Sequence, residues 1–384
     1  MTPAEFEFAT AGRIVFGAGR AAELASHARR LGSRALVCTG ADPRRHDALL
    51  ESLAVPFSTF SVPGEPTVET ARAGAAHGRE MGADLVVAIG GGSVIDLGKA
   101  VAMLLANGGD PLDYLEVIGS GRLIERPSAP LIAAPTTSGT GSEVTFNAVL
   151  ASPRDRCKAS LRSPFMLPSV AIVDPLLTLS CPPEVTASSG LDALTQCLEP
   201  FVSLRANSVT DAIAREGLSR AATGLRRSYF DGNDVEARTD MALCSLLGGI
   251  ALANAKLGAV HGLAGVIGGT VDVPHGAACA ALLVATVEAN LRALGTREPG
   301  SRALEKYREA AQLLTGRIDA SIEDGTAWIA ETVRLLGIGT LASYGLRPEH
   351  ADEVVSRARQ ASSTKGNPIE LRDDELRGVL SAST

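Results

Sequence analysis

The chain has 384 residues, of which 45% are hydrophobic, and its formal net charge is -7. A chain of this length can bury a large core and is expected to divide into two domains. The negative charge and the lack of a lysine- or arginine-rich run leave no basic surface for a polyanionic backbone. We therefore expect no nucleic-acid partner.

The N-terminal residues and the cysteines both favour a cytoplasmic protein. Glu5 and Glu7 stand where a signal peptide would be basic and then apolar. Apolar stretches are interrupted before the roughly 18 residues that span a bilayer, so we expect no membrane association. No C-x-x-C pair is present, which favours buried, reduced thiols over a disulfide frame or a zinc knuckle. The six cysteines are Cys38, Cys157, Cys181, Cys197, Cys244 and Cys279.

Short apolar runs alternate with helix-forming stretches in the first half of the chain, which is typical of β-α-β units. The runs lack polar alternation, as in strands that are buried on both faces of a parallel sheet. Ligands of such sheets bind at the carboxyl ends of the strands. The predicted strands cover residues 34–38, 84–89, 131–134 and 170–173.

The sequence changes character at the double proline Pro182-Pro183. Beyond it, Ala, Leu, Glu and Arg recur at helical spacing, as in residues 210–227, and no strand pattern occurs. The fold class is therefore α/β, with an N-terminal parallel-sheet domain over residues 1–180 and an all-helical domain over residues 181–384. We expect one active site, in the cleft between the two domains.

A glycine-rich turn follows the strand predicted at residues 84–89. It is formed by Gly90, Gly91, Gly92 and Ser93. Glycines let the backbone approach a pyrophosphate closely, and the free N–H groups of the following helix, predicted over residues 94–105, are donors to it. The turn therefore predicts a dinucleotide site in the first domain. The alternative, which needs no ligand, is a tight turn with Ser93 as the helix N-cap and Asp96 as its capping-box acid.

A second polar turn follows the strand predicted at residues 131–134. Its hydroxyl groups suit phosphate and ribose oxygens, because a hydroxyl can bind them without burial of a net charge. Lys158, farther along the chain, would add a positive charge. The candidate residues of this turn are Thr136, Thr137 and Thr140.

Together these motifs resemble the iron-dependent, or group III, alcohol dehydrogenase family. GGGSVIDLGKA, PTTSGTGSEVT, IVDP, GLDAL and a late VHG and PHG occur in the family's order. The resemblance implies a dinucleotide-binding α/β domain, a helical domain, and an oxidoreductase that interconverts an alcohol with an aldehyde or ketone by hydride transfer. NAD or NADP would be the cofactor. By the resemblance, the cofactor-binding residues are Gly90, Gly91, Gly92, Ser93, Asp96, Thr136, Thr137, Thr140 and Lys158.

Four residues correspond, by the resemblance, to the family's metal site: Asp192, Gln196, His261 and His275. The family has histidine where this chain has Gln196, and commonly another where it has Gly265. Asp192, His261 and His275 alone form a two-histidine, one-carboxylate set that suits Fe(II) or Zn(II). Gln196 is then either a poor fourth ligand or an orienting hydrogen-bond donor.

Interpretations without a metal ion remain open. Asp192 would be stabilised by the helix dipole alone if its helix began after a capping Ser188. The maleylacetate reductases, which share the fold, are metal-independent; a protein of that kind would use His261 or His275 as the catalytic proton donor, with Gln196 as an oxyanion partner, on an enoate or keto acid. A non-catalytic relative would bind the nucleotide without turnover. Glycerol dehydrogenase and dehydroquinate synthase relatives fit the motifs less well.

The choice between NAD and NADP stays open in the sequence. The family often has an aspartate after the second strand that binds the ribose, and this chain has Thr39-Gly40 there, with Asp42 and Arg44-Arg45 just beyond. We expect a small-molecule alcohol or carbonyl substrate of unspecified identity. We also expect a homodimer.

Overall fold

The computed structural model describes residues 5–155 and 157–384. Their internal contacts divide them into two units. The α/β unit comprises residues 9–137 and 141–180. The helical unit comprises residues 5–8, residues 138–140 and everything from Cys181 onward.

The α/β unit is built on a six-stranded sheet in which every neighbouring pair of strands is parallel. The strands are β1 (Ile14–Phe16), β2 (Ala35–Thr39), β3 (Phe57–Ser61), β4 (Leu85–Gly90), β5 (Leu131–Pro135) and, after a separate hairpin of β6 (Asn147–Ser152) and β7 (Cys157–Arg162), β8 (Val170–Val173). The sheet order is β1-β8-β5-β4-β2-β3. The α-helices of this unit are α1 (Leu24–Leu31), α2 (Asp47–Glu51), α3 (Val68–Glu80), α4 (Gly92–Asn107) and α5 (Pro111–Tyr114).

The predicted parallel sheet is confirmed. All side chains of β2, β4, β5 and β8 are buried, which explains why these four strands were visible as continuous apolar runs. Each predicted strand matches an observed one to within a residue or two at its ends. The prediction missed β1, β3 and the β6–β7 hairpin, whose residues alternate in burial or are too few to form a run.

The helical unit consists of nine α-helices in the part of the chain that the structure describes. They are α6 (Pro183–Val202), α7 (Ser208–Phe230), α8 (Val235–Ala255), α9 (Ala259–Thr270), α10 (His275–Arg297), α11 (Arg302–Thr315), α12 (Ile322–Leu335), α13 (Ala351–Gln360) and α14 (Asp373–Ser383). No strand is described after Val173, as the sequence predicted. The helices share one hydrophobic core rich in Ala and Leu.

One of these helices, α10, is long and apolar enough to cross a membrane by composition alone. Its apolar stretch is nevertheless interrupted by Glu288 and Arg292, as the sequence analysis expected. In addition, 72% of its apolar window is buried inside the protein, as in the core helix of a soluble protein. A bent pair formed by α8 and α9 also meets the length and composition test when the two helices are joined, with an angle of 98° between them.

Candidate functional site: a glycine turn and a buried donor cluster

The glycine turn lies where β4 ends and α4 begins. Gly91 is the N-cap of α4, and no side chain caps that end of the helix. The N–H groups of Gly92 and Ser93, the first two helical residues, have no acceptor within the helix. A Cβ at Gly90 would lie 2.5 Å from Cγ2 of Val94, so the turn has no room for a side chain there. The turn therefore presents backbone N–H groups that have no acceptor within the helix, and such groups can bind an anion.

The ligand-free alternative for this turn assigned two capping roles that the structure contradicts. It required Ser93 to cap the helix, but α4 already begins at Gly92, so Ser93 lies inside its first turn. It also required Asp96 to complete a capping box. Instead, Asp96 accepts hydrogen bonds from the Ser142 hydroxyl and from the Val149 N–H at 2.9 Å, and it lies 3.3 Å from the Lys99 ammonium.

The second polar turn, which contains Thr136, Thr137 and Thr140 and is called the hydroxyl loop below, begins beside the glycine turn within the α/β unit. Gly90 is paired with Pro135 in the sheet, and the N–H of Thr136 donates to the Gly90 carbonyl at 2.9 Å. A Cβ at Gly91 would lie 3.3 Å from the Thr137 hydroxyl. The structure thus brings Thr136 and Thr137 to the turn, because parallel neighbouring strands end at the same edge of the sheet.

The two remaining candidates for the cofactor site are placed differently. Thr140 belongs, by its contacts, to the helical unit. Lys158 lies on β7, and its ammonium pairs with the Glu65 carboxylate at 2.6 Å. Its charge is therefore partly neutralised within the α/β unit.

A cluster of four metal-type donors lies in the helical unit. Asp192 of α6, His261 of α9, and His275 and Cys279 of α10 each offer one ligand atom, and these atoms all lie within 4.8 Å of one another. Asp192, His261 and Cys279 are buried, while His275 is half-buried. We call these four residues the donor cluster.

Close helix packing brings these donors together. A Cβ at Gly276 would lie 2.4 Å from the Ser188 carbonyl oxygen and 3.4 Å from Cβ of Asp192, so only glycine lets the start of α10 approach α6 this closely. Asp192 itself lies near the middle of α6, which begins at Pro183. The predicted capping role of Ser188 is wrong, since its hydroxyl donates to the Val185 carbonyl inside the helix. The helix dipole therefore does not explain Asp192.

Gln196 contacts the donor cluster through its amide nitrogen. Nε2 donates to Oδ2 of Asp192 at 3.1 Å and to the Gly139 carbonyl at 3.2 Å. Its buried Oε1 has no partner among the described residues. The amide thus orients the Asp192 carboxylate, as one of the two sequence-based interpretations proposed.

Glu199 is a functional residue that the sequence analysis missed. Its Oε2 lies 2.7 Å from Nδ1 of His261, and its Oε1 accepts the Val260 N–H at 2.7 Å. A carboxylate that holds one imidazole nitrogen and leaves the other facing a cluster is the usual outer partner of a metal-binding histidine. Its signal was its place on the same helix, about one turn beyond Gln196.

Cys279 is the second residue that the sequence analysis missed. The six thiols are all free, and five are buried, as predicted. Cys279 nevertheless lies four residues after His275 on α10, with its Sγ 3.6 Å from Nε2 of His275. That spacing, next to a histidine already singled out, was the available signal.

The electrostatics of the cluster are those of tightly apposed acids and imidazoles. Burial alone would lower the pKa of His261, but Cys279, Asp192 and Glu199 raise it well above its ordinary value. Cys279 likewise raises the pKa of His275. Burial alone would raise the pKa of Asp192, but the two imidazoles lower it. A cation at the centre would take the place of these imidazole protons.

The donor cluster fits a divalent transition-metal ion. It combines a carboxylate with two imidazoles and a thiol, a donor set of the kind that binds Zn(II) and, through its histidines and carboxylate, Fe(II). His261 Nε2 and Asp192 Oδ1 are already only 3.1 Å apart. His275 is the least buried member, so its side of the cluster is the accessible one.

Two family profiles match the chain. The one described as "Iron-containing alcohol dehydrogenase" covers residues 11–175, and the one described as "Fe-containing alcohol dehydrogenase family, C-terminal" covers residues 186–384. The chain is 34% identical to the 4-hydroxybutyrate dehydrogenase of Cupriavidus necator over 380 residues, or 95% of this chain and 96% of that protein.

Solved structures are similar along the whole chain. A 1,3-propanediol oxidoreductase has a TM-score of 0.92 and 31% identity, covering 99% of this chain and 100% of that one. A sulfoacetaldehyde reductase from Bifidobacterium kashiwanohense, solved in complex with NAD+, has a TM-score of 0.86 and 28% identity, covering 99% of each chain.

Proposed function

The chain belongs to the iron-containing alcohol dehydrogenase family, and on that premise we propose that it interconverts a small primary alcohol with its aldehyde. Alcohol oxidoreduction with NAD(P) is the chemistry of the family, and the fold class expected from the sequence is confirmed. The observation that carries the proposal is the convergence of Asp192, His261 and His275 on one another. The metal-independent and non-catalytic alternatives are not favoured, since the similar proteins are alcohol dehydrogenases.

The chain's own residues divide the work between binding and positioning. The backbone N–H groups of Gly92 and Ser93 bind the cofactor's diphosphate, with Thr136 and Thr137 beside them. Asp192, His261 and His275 would hold the metal ion, while Glu199 fixes the ring of His261 and Gln196 orients Asp192. When bound, a divalent ion would supply Lewis acidity toward the substrate oxygen, and NAD(P) would supply the hydride chemistry.

His261 is a poor candidate for proton transfer to the substrate. Both of its ring nitrogens are engaged by carboxylates, at 2.7 Å by Glu199 and at 3.1 Å by Asp192. His275 is more accessible and has no carboxylate partner among the described hydrogen bonds. Of the histidines predicted to be catalytic, we therefore propose that His275 lies closer to the reacting oxygen.

We propose a short-chain substrate on the basis of the relatives. The relatives named above act, by their names, on 4-hydroxybutyrate, 1,3-propanediol and sulfoacetaldehyde, which are short chains.

We also propose that residues 1–180 and 181–384 are separate domains and that the protein is a cytoplasmic homodimer with no nucleic-acid or membrane partner. The location of the reaction in a cleft between the domains stays a sequence-based prediction.

The cofactor preference follows from the turn after β2. Asp42 caps the short helix at Pro43–His46 and pairs with the Arg44 guanidinium at 2.8 Å, so its carboxylate is already engaged. A free acid that would reject a 2′-phosphate is therefore lacking at Asp42. We propose that the enzyme uses NADPH as well as NADH.

A panel of aldehydes tests the proposed function. Short ω-hydroxyaldehydes, ketones and maleylacetate are each mixed with NADH or NADPH, and absorbance loss is followed with the metal-loaded protein. We expect the highest kcat/KM with a short aldehyde and measurable rates with both cofactors. Turnover of maleylacetate alone, or cofactor binding without turnover of any carbonyl, would overturn the proposal.

A further inference from the structure

Cys279 is placed as a ligand rather than as a core thiol. It is fully buried, its Sγ lies 3.6 Å from Nε2 of His275, and it lies within 4.8 Å of the ligand atoms of Asp192 and His261. His275 and Cys279 lie one turn apart on α10, which puts both side chains on the same face of the helix. Neither the sequence motifs nor the family resemblance assigned this residue any role.

The distances fit a four-coordinate ion. With bonds of about 2.0–2.3 Å to nitrogen, oxygen and sulfur, a tetrahedral site separates its ligand atoms by roughly 3.3–3.8 Å. The His275 Nε2–Cys279 Sγ distance is 3.6 Å, and the His261 Nε2–Asp192 Oδ1 distance is 3.1 Å. All remaining separations are at most 4.8 Å, so side-chain adjustments of about an ångström would complete the site.

Gln196, at the position where the family has a histidine, does not present a donor atom to the cluster. The group it directs at Asp192 is its amide N–H, and a second acceptor, the Gly139 carbonyl, holds the same nitrogen. Turning the amide over would bring its oxygen against two acceptors. The fourth ligand position is therefore left to another residue.

We propose that Cys279 is the fourth metal ligand of this protein and takes the place of the missing histidine. The site is then one carboxylate, two imidazoles and one thiolate, with Gln196 as a positioning residue for Asp192. Binding of the ion displaces the thiol proton to solvent, so one thiolate–metal bond forms as one S–H bond is lost. A thiolate is a soft donor, which favours Zn(II) over Fe(II) relative to a site with histidine as the fourth ligand.

This inference rests on the proposed function only for the presence of a metal site. Its test is therefore a spectrum, not a rate. The protein is stripped of metal, loaded with one equivalent of Co(II), and its absorption is recorded. A cysteine ligand gives an intense thiolate-to-cobalt charge-transfer band in the near ultraviolet, and an oxygen or nitrogen donor set does not.

Three variants make the result specific. Cys279→Ser should lose the band and bind Zn(II) more than about 100-fold more weakly, beyond the loss expected for an outer partner. Cys181→Ser changes another thiol of the helical unit and should keep both band and affinity. Gln196→His combined with Cys279→Ser should recover Zn(II) affinity without the band, since it restores a fourth donor one turn from Asp192.

Each outcome decides the proposal separately from the enzymatic function. If wild-type protein loads Co(II) with the same near-ultraviolet spectrum as Cys279→Ser, or loads no metal, the thiolate ligand is excluded, whatever the rates with aldehydes. If the band is present but no carbonyl is reduced with NADH or NADPH, the ligand assignment stands and the proposed function fails.

Discussion

The glycine turn and the donor cluster are built in opposite ways. The turn uses consecutive residues and backbone N–H groups, and it depends on the absence of a side chain at Gly90. The donor cluster uses side chains from α6, α9 and α10, and it depends on which atoms those side chains present. The turn therefore tolerates few substitutions that add a side chain. The cluster can exchange one metal-binding side chain for another if the helices keep their positions.

The two units also treat a buried carboxylic acid differently. Burial raises the pKa of Glu143, in the α/β unit, to about 7, despite the opposing charge of Lys99. Asp192, equally buried in the helical unit, has a pKa below its ordinary value because imidazoles surround it. The rise in pKa that burial causes thus prevails at Glu143, whereas at Asp192 the neighbouring imidazoles outweigh it.

The largest expected effect comes from Asp192→Asn, which keeps the shape of the side chain but removes its charge. Turnover should fall by about 10³-fold or more, as expected when a contribution of several kcal/mol from a Lewis acid is lost. Steady-state rates with NADH measure this loss. Asp319→Asn, at an exposed acid, is the matched control and should have wild-type rates; equal rates in both variants would remove Asp192 from the site.

Glu143→Gln tests the uncompensated acid of the α/β unit. The folded-state pKa, about 7, lies above the ordinary value of 4.5, so the ionised form disfavours folding. The cost is absent below pH 4.5, grows as the pH rises to 7, and is constant above. Relative to wild type, the free energy of unfolding of the variant should therefore increase by about 2 to 3 kcal/mol from pH 5 to pH 8.

Urea unfolding of both proteins at the two pH values gives this comparison directly. A difference between the proteins that does not change with pH would show that Glu143 is ionised at no cost in the folded state.

Glu199→Gln tests the outer partner of the donor cluster. The variant keeps the volume but weakens the acceptor for Nδ1–H of His261, so Zn(II) affinity should fall about 10- to 100-fold. Competition with a chromophoric chelator measures the affinity. Glu184→Gln, at an exposed position on the same helix, should leave it unchanged; the same value in all three proteins would reduce Glu199 to a packing role.

The smallest effect concerns the glycines of the helical unit. Gly265, where the family commonly has histidine, is exposed within α9, and a Cβ there would meet nothing within 4 Å. Gly265→Ala should raise the free energy of unfolding by about 0.5–1 kcal/mol, because glycine is a poor helix former. Gly276→Ala should destabilise instead, since its Cβ would clash with the Ser188 carbonyl. Thermal unfolding that ranks the two variants the other way would contradict this packing.

The strands could be predicted where all of their residues are buried, because such strands are continuous apolar runs in the sequence. β4 and β5 are apolar throughout, and their carboxyl ends carry the glycine turn and the hydroxyl loop. β3, an edge strand in which exposed and half-buried residues alternate, has no such run. Helix starts were less well predicted: Ser93 and Ser188 are good capping residues, but the helices α4 and α6 begin before them.

The donor cluster was predictable only in part, because its members are far apart in sequence. Asp192, His261 and His275 were found through the family resemblance. Glu199 and Cys279 each lie about one turn from a residue already singled out, but the contact of Glu199 with His261 and the closeness of Cys279 to Asp192 exist only once α6, α9 and α10 pack. Cys279 was also hidden among six scattered thiols. The role of Gln196 depended on which amide atom faces Asp192, which only the hydrogen bonds of the folded chain decide.

Removal and return of the metal ion tests the central claim most directly. The purified protein is stripped with a chelator, and NADH binding by fluorescence and aldehyde reduction are measured before and after refilling with Zn(II) or Fe(II). We predict that the stripped protein binds NADH as before, since backbone groups of the glycine turn hold the cofactor, but loses turnover until metal is returned. Equal turnover of stripped and refilled protein would contradict the account.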